Sequence, residues 1–173
     1  MRYLLFPAIL LALTACDAAP PPEGRMGDGW LTGQDDNAAR FERLESYLGG
    51  FSSAMWETGY RYQGTWDAIV DGNPALADYH WGKLRGAIEN GYMKRPGRQG
   101  NAEGLFLSGP WQGLDEALGQ AMRDERESDQ AIQTAFLEAR DACMACHVAE
   151  DVPFMNDMPL FRQTGDFVRA DRY

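Results

Sequence analysis

Residues 143 to 147 read Cys143-Met144-Ala145-Cys146-His147. On a helix the two thiols stand one turn apart, so both can add to the vinyl groups of one porphyrin. The histidine beside the second thiol then reaches the iron from the same side. This spacing is the attachment signature of c-type haem. Other chemistries explain the residues less fully. A thioredoxin-type dithiol belongs in a βαβ setting, and the surrounding sequence has no strand-like alternation. A structural zinc site needs four ligands, and the only further candidates are His80 and Cys16. A plain disulfide between Cys143 and Cys146 leaves His147 without a role.

The opposite end of the chain points to export. Met1 to Ala15 carries one positive charge, Arg2, then an apolar run from Tyr3 to Leu13. That is the layout of a secretory signal, too short to count as a membrane span. Leu13-Thr14-Ala15-Cys16 resembles the lipobox of bacterial lipoproteins, and the resemblance implies acylation of Cys16. Asp17 follows it, a residue that favours inner-membrane retention in enterobacterial lipoproteins. Export also suits c-type haem, which is attached outside the cytoplasm. The three cysteines of the chain are thereby divided between lipid and haem, and no structural disulfide is expected.

The chain has 173 residues and a net charge of −10. Such acidity gives no electrostatic reason to bind nucleic acid. It also repels anionic lipid, so residence at the membrane would rest on the anchor. Lys94, Arg95 and Arg98 make one local basic cluster, expected as a solvated loop. Residues 16–36, with Pro20-Pro21-Pro22 and several glycines, read as a flexible tether. Residues 37–173 read as a single haem-binding helical domain, of a size one domain suits.

Helical periodicity runs through that domain. A first helix covers about Asn37 to Leu48 and breaks at Gly49-Gly50. From Phe51 to Val70, Phe51, Met55, Gly59, Tyr62, Trp66 and Ile69 form one face. Asp71-Gly72-Asn73-Pro74 stops that helix, and Pro74 opens the next. The segment Ala75 to Tyr92 carries Leu76, His80, Leu84 and Ile88 on one side. Pro110 opens a helix striped with Trp111, Leu114, Leu118 and Met122. The last helix aligns Ile132, Phe136 and Ala139 with Cys143, Cys146 and His147. The expectation is an all-α, up-down-up-down four-helix bundle with an irregular C-terminal tail.

A late Cys-x-x-Cys-His on the last of four helices resembles the cytochrome c′ group. The likeness spans roughly Phe51 to His147. A set of bacterial exported cytochromes also shares a segment like Asn73-Pro74-Ala75-Leu76-Ala77 and a Pro-containing tail, here Val152-Pro153-Phe154 and Met158-Pro159-Leu160-Phe161. Cytochrome c′ itself ends soon after its haem helix, so Ala149 to Tyr173 departs from that pattern.

The resemblance implies one covalent haem c with His147 as axial ligand. In low-spin relatives the sixth ligand is a methionine of the first bundle helix, and Met55 matches that position. The structural alternative is that Met55 is ordinary core. Met155 and Met158 are rivals, though a ligand so near His147 requires a tight reversal of the chain. Met144 points away, Met122 reads as core, and His80 reads as packed. Methionine ligation suits electron transfer. An open site suits binding of a small gas such as nitric oxide. The expectation is therefore an electron carrier on the periplasmic side of the cell envelope. It would be lipid-anchored, favouring the inner membrane, and would serve a redox partner protein rather than act as a stand-alone enzyme. The oligomeric state is open, with a dimer compatible.

Overall fold

The computed structural model describes residues 29–123 and 129–162, and the described residues are helical, with no strand among them. The signal segment, Cys16 and most of the expected tether lie outside the described residues. The chain divides into two units after Tyr47. The expected domain boundary lay earlier, at residue 36.

In the first unit, α1 spans Asn37–Tyr47. Asp36 caps it, its carboxylate accepting a hydrogen bond from the Ala39 amide at 2.8 Å. None of its residues is buried. Trp30 packs its ring 5.2 Å from that of Tyr47.

The second unit begins with a break at Gly49, whose φ of +70° suits a residue without Cβ. α2 spans Phe51–Val70 and α3 spans Pro74–Lys94. α2 closes in a Schellman motif: the Asn73 amide donates to the Ala68 carbonyl at 2.8 Å, and Gly72 takes the left-handed position. Asn73 then caps α3 by accepting from the Leu76 amide, and Pro74 occupies the first turn. α2 and α3 pack along one another. Their closeness depends on two glycines. A Cβ at Gly91 would come within 2.8 Å of Ala54, and one at Gly64 within 2.9 Å of the His80 ring.

Short helical pieces follow, among them a π-helix, Ala102–Leu107. α4 spans Pro110–Arg123 and α5 spans Asp129–Ala149. α4 packs against α3 and α5, whereas α2 meets α5 along a short stretch only. Trp81 and Trp111 lock α3 to α4 reciprocally. The Trp81 indole donates to the Trp111 carbonyl at 2.9 Å, and the Trp111 indole donates to the Trp81 carbonyl at 3.2 Å. Leu84, Leu114, Leu118, Tyr62 and Phe136 complete the core around them. Phe136 links α5 to α2, lying 4.8 Å from Tyr62 and 5.0 Å from Trp66. Met122, expected as core, is 45% exposed, since it sits in the last turn of α4 beyond the packed stripe. α5 is thus rooted through Ala142, and its last two turns meet the segment that follows.

Candidate functional site

Cys143, Cys146 and His147 lie in those last two turns. Ile132, Phe136, Ala139 and Ala142 before them are buried, while all three chemical side chains are half-buried. The cysteines carry free thiols. Burial, and secondarily the neighbouring Cys146, pushes the Cys143 thiol up to about 12. Burial also raises the Cys146 thiol, against the opposing effect of Arg98. Both are therefore neutral thiols at neutral pH. A redox dithiol needs the reverse, a thiolate favoured by its surroundings.

The chain turns back directly after His147. The Val152 amide donates to the His147 carbonyl at 2.9 Å, and the Asp151 amide donates to the Val148 carbonyl at 3.2 Å. This is a second Schellman motif, with Asp151 at φ +59° where α2 uses glycine. The tight reversal that seemed costly from the sequence is built by this motif. Two short 3-10 turns follow, Pro153–Asp157 and Pro159–Phe161. Glu150 pins the start of the return. It pairs with Arg98 and accepts from Asn101 at 2.7 Å. Arg98 is thus engaged within the fold, unlike the solvated role expected for its cluster.

The returning segment meets the site at two places. Asn156 bonds to the His147 ring, with Oδ1 at 2.9 Å from Nδ1. Its amide nitrogen donates to the Met144 carbonyl at 3.1 Å. Phe161 sets its ring edge-on to His147 with centroids 5.5 Å apart, and also lies 5.6 Å from Tyr62 on α2. Burial raises the Tyr62 hydroxyl above its ordinary pKa, helped by the nearby Cys143. Leu160 occupies the space beside Gly59, 3.7 Å from where a Cβ would stand.

The remaining candidates are dispersed. Met55 is half-buried on α2 and packs against the core, one turn before Gly59. Met155 and Met158 are 39% and 40% exposed. His80 lies on α3, its ring between Tyr60 and Tyr79, with a buried Nδ1 that has no hydrogen-bond partner. Burial, then Arg61, holds its pKa below the ordinary 6.5.

The donor set fits a covalently held haem. Two half-buried thiols one turn apart adjoin an imidazole whose Nε2 makes no hydrogen bond among the described residues. Among those residues, no group of three or more His, Cys, Asp or Glu side chains could hold a metal ion by itself. That bears on a zinc site, not on an iron whose other ligands come from a porphyrin. No described helix is long and apolar enough to cross a membrane. Compared with protein families, curated proteins and solved structures, the chain has no match.

Asn156 was not visible from sequence reasoning. An amide nine residues beyond the motif histidine carries no periodic signal. Val152-Pro153-Phe154 marked a Pro-containing tail, but not the partner that the tail delivers.

Proposed function

We propose that this protein is a monohaem c-type cytochrome carrying electrons in the bacterial cell envelope. One observation supports it above the others: Cys143, Cys146 and His147 share the end of one helix, with the ring's Nδ1 occupied and its Nε2 available. Cys143 and Cys146 would hold the haem by thioethers, and His147 would bind its iron. When bound, the haem supplies one-electron chemistry by cycling between ferric and ferrous iron. Phe161, Leu160 and Tyr62 limit water at the site and so favour the less charged, reduced state. In this reading the four helices of the second unit form an up-down bundle of cytochrome c′ type, and Met55 is the candidate sixth ligand. Acylated Cys16 tethers the domain on the periplasmic side, with the inner membrane favoured. The partner is a redox protein, not nucleic acid.

Intact mass and absorption spectra test this directly. Full-length protein, expressed with a haem-attachment system, should keep its colour after denaturation and weigh one haem more than its chain. A colourless protein ends the proposal. A second reading has its own observation, since apolar Leu160 lies beside Gly59, one turn from Met55 on α2. An open sixth site would make the protein a high-spin binder of a small gas such as nitric oxide. A high-spin ferric spectrum, with fast carbon monoxide uptake on reduction, would favour that reading over electron transfer.

A further inference from the structure

We infer that Asn156 is the positioning residue of the site, fixing the His147 tautomer and tuning the basicity of its ring; the inference rests on the haem reading above. The argument needs only donors and acceptors. The Met144 carbonyl can only accept. The end of the Asn156 amide 3.1 Å from it is therefore the NH2 end. That leaves Oδ1 facing the His147 ring at 2.9 Å. An amide oxygen also only accepts, so Nδ1 must carry the ring proton. A neutral imidazole has one N–H, and the lone pair is then on Nε2. The ring is set for coordination through Nε2 before any iron arrives.

The orientation is held from several sides. The Schellman motif at His147 sets the direction of the return, and Glu150 anchors it through Arg98 and Asn101. The 3-10 turn Pro153–Asp157 then presents Asn156, which is half-buried, so water competes weakly for the bond. Partners of this kind raise ligand basicity in proportion to the charge on the acceptor. A neutral amide does so mildly. A carboxylate would do so more strongly and would favour ferric iron.

The test compares wild type, Asn156→Asp and Asn156→Leu as full-length haem-loaded proteins. The midpoint potential should rise in Asn156→Leu and fall in Asn156→Asp. A merely structural residue would move both variants the same way. Nitrogen-15 NMR of the reduced wild type should show a His147 Nδ1 proton. Its exchange with solvent should be roughly tenfold slower than in Asn156→Leu, the factor that an ordinary hydrogen bond supplies. Should Asn156→Leu fail to accumulate, the wild-type proton and the Asn156→Asp potential still decide. Potentials in any other order, or an unprotected ring proton, overturn the inference alone. A chain whose mass lacks haem sinks the cytochrome reading first, and this one with it.

Discussion

The chain has two histidines, and their settings are opposite. His80 sits where α2 and α3 approach closely, with its ring against Gly64 and a buried Nδ1 that finds no partner. His147 sits in the last turn of α5, half-buried, with its Nδ1 engaged by Asn156. Burial disfavours charge on His80. His147 is oriented by a hydrogen bond and backed by the edge of Phe161. The two rings thus differ in what meets Nδ1: Asn156 engages that of His147, while that of His80 is buried without a partner.

Exchanging the roles should fail, and this is the largest expected effect. His147→Ala should abolish the wild-type haem spectrum in protein that still carries its thioethers. His80→Ala should leave that spectrum unchanged. If His80→Ala removes it instead, the contrast is reversed. Met55→Ala comes next. It should turn the iron high-spin and lower its potential, whereas Met155→Ala and Met158→Ala should do neither. Wild-type protein that is already high-spin would return Met55 to the core.

Gly64→Ala should leave the colour intact and lower stability by about 1–3 kcal/mol, because the His80 ring must shift. A calorimetric scan measures it. The pH response of His80 is smaller. Its folded pKa lies below its ordinary value, so the folded state binds fewer protons. The stability it contributes is complete above about pH 6.5 and is lost as the pH falls toward the folded pKa. Acidification from about pH 7 to about pH 5 should therefore lower Tm more in wild type than in His80→Phe. Equal losses would mean that the titration lies elsewhere. Last, Asp151→Gly should relieve the left-handed backbone and stabilise by up to about 1 kcal/mol. Denaturant midpoints would show a loss instead if the Asp151 side chain matters more than its φ.

The helices were legible because their punctuation is local. Gly49, Gly72, Asn73-Pro74 and Pro110 act through φ, capping or a missing N–H, and each acts on its own neighbours. The apolar stripes of Tyr62, Leu84, Leu114, Leu118 and Phe136 follow helical periodicity, and all are buried. Cys143, Cys146 and His147 were legible as a motif. The clasp around them was not. Asn156, Glu150 and Arg98 are polar residues whose partners depend on how a tail without periodicity returns to its helix. Leu160 beside Gly59 escaped notice for the same reason, since a glycine on a helix face announces room but not its occupant.

The clasp also has a timescale. Its bonds at His147 span at most nine residues of chain, from His147 to Asn156. Closing a loop of about ten residues takes roughly 10–100 ns. The Trp81–Trp111 lock joins residues 30 apart, and it holds the packed centre of the unit. The stretch from Val152 to Asn156 can therefore release His147 and rebind it locally, while Glu150 stays tied to Arg98 and Asn101. Whatever reaches the thiols of α5 during assembly need not wait for the protein to unfold. It needs only to be present during one of those brief openings, which makes access to the site a matter of frequency rather than of stability.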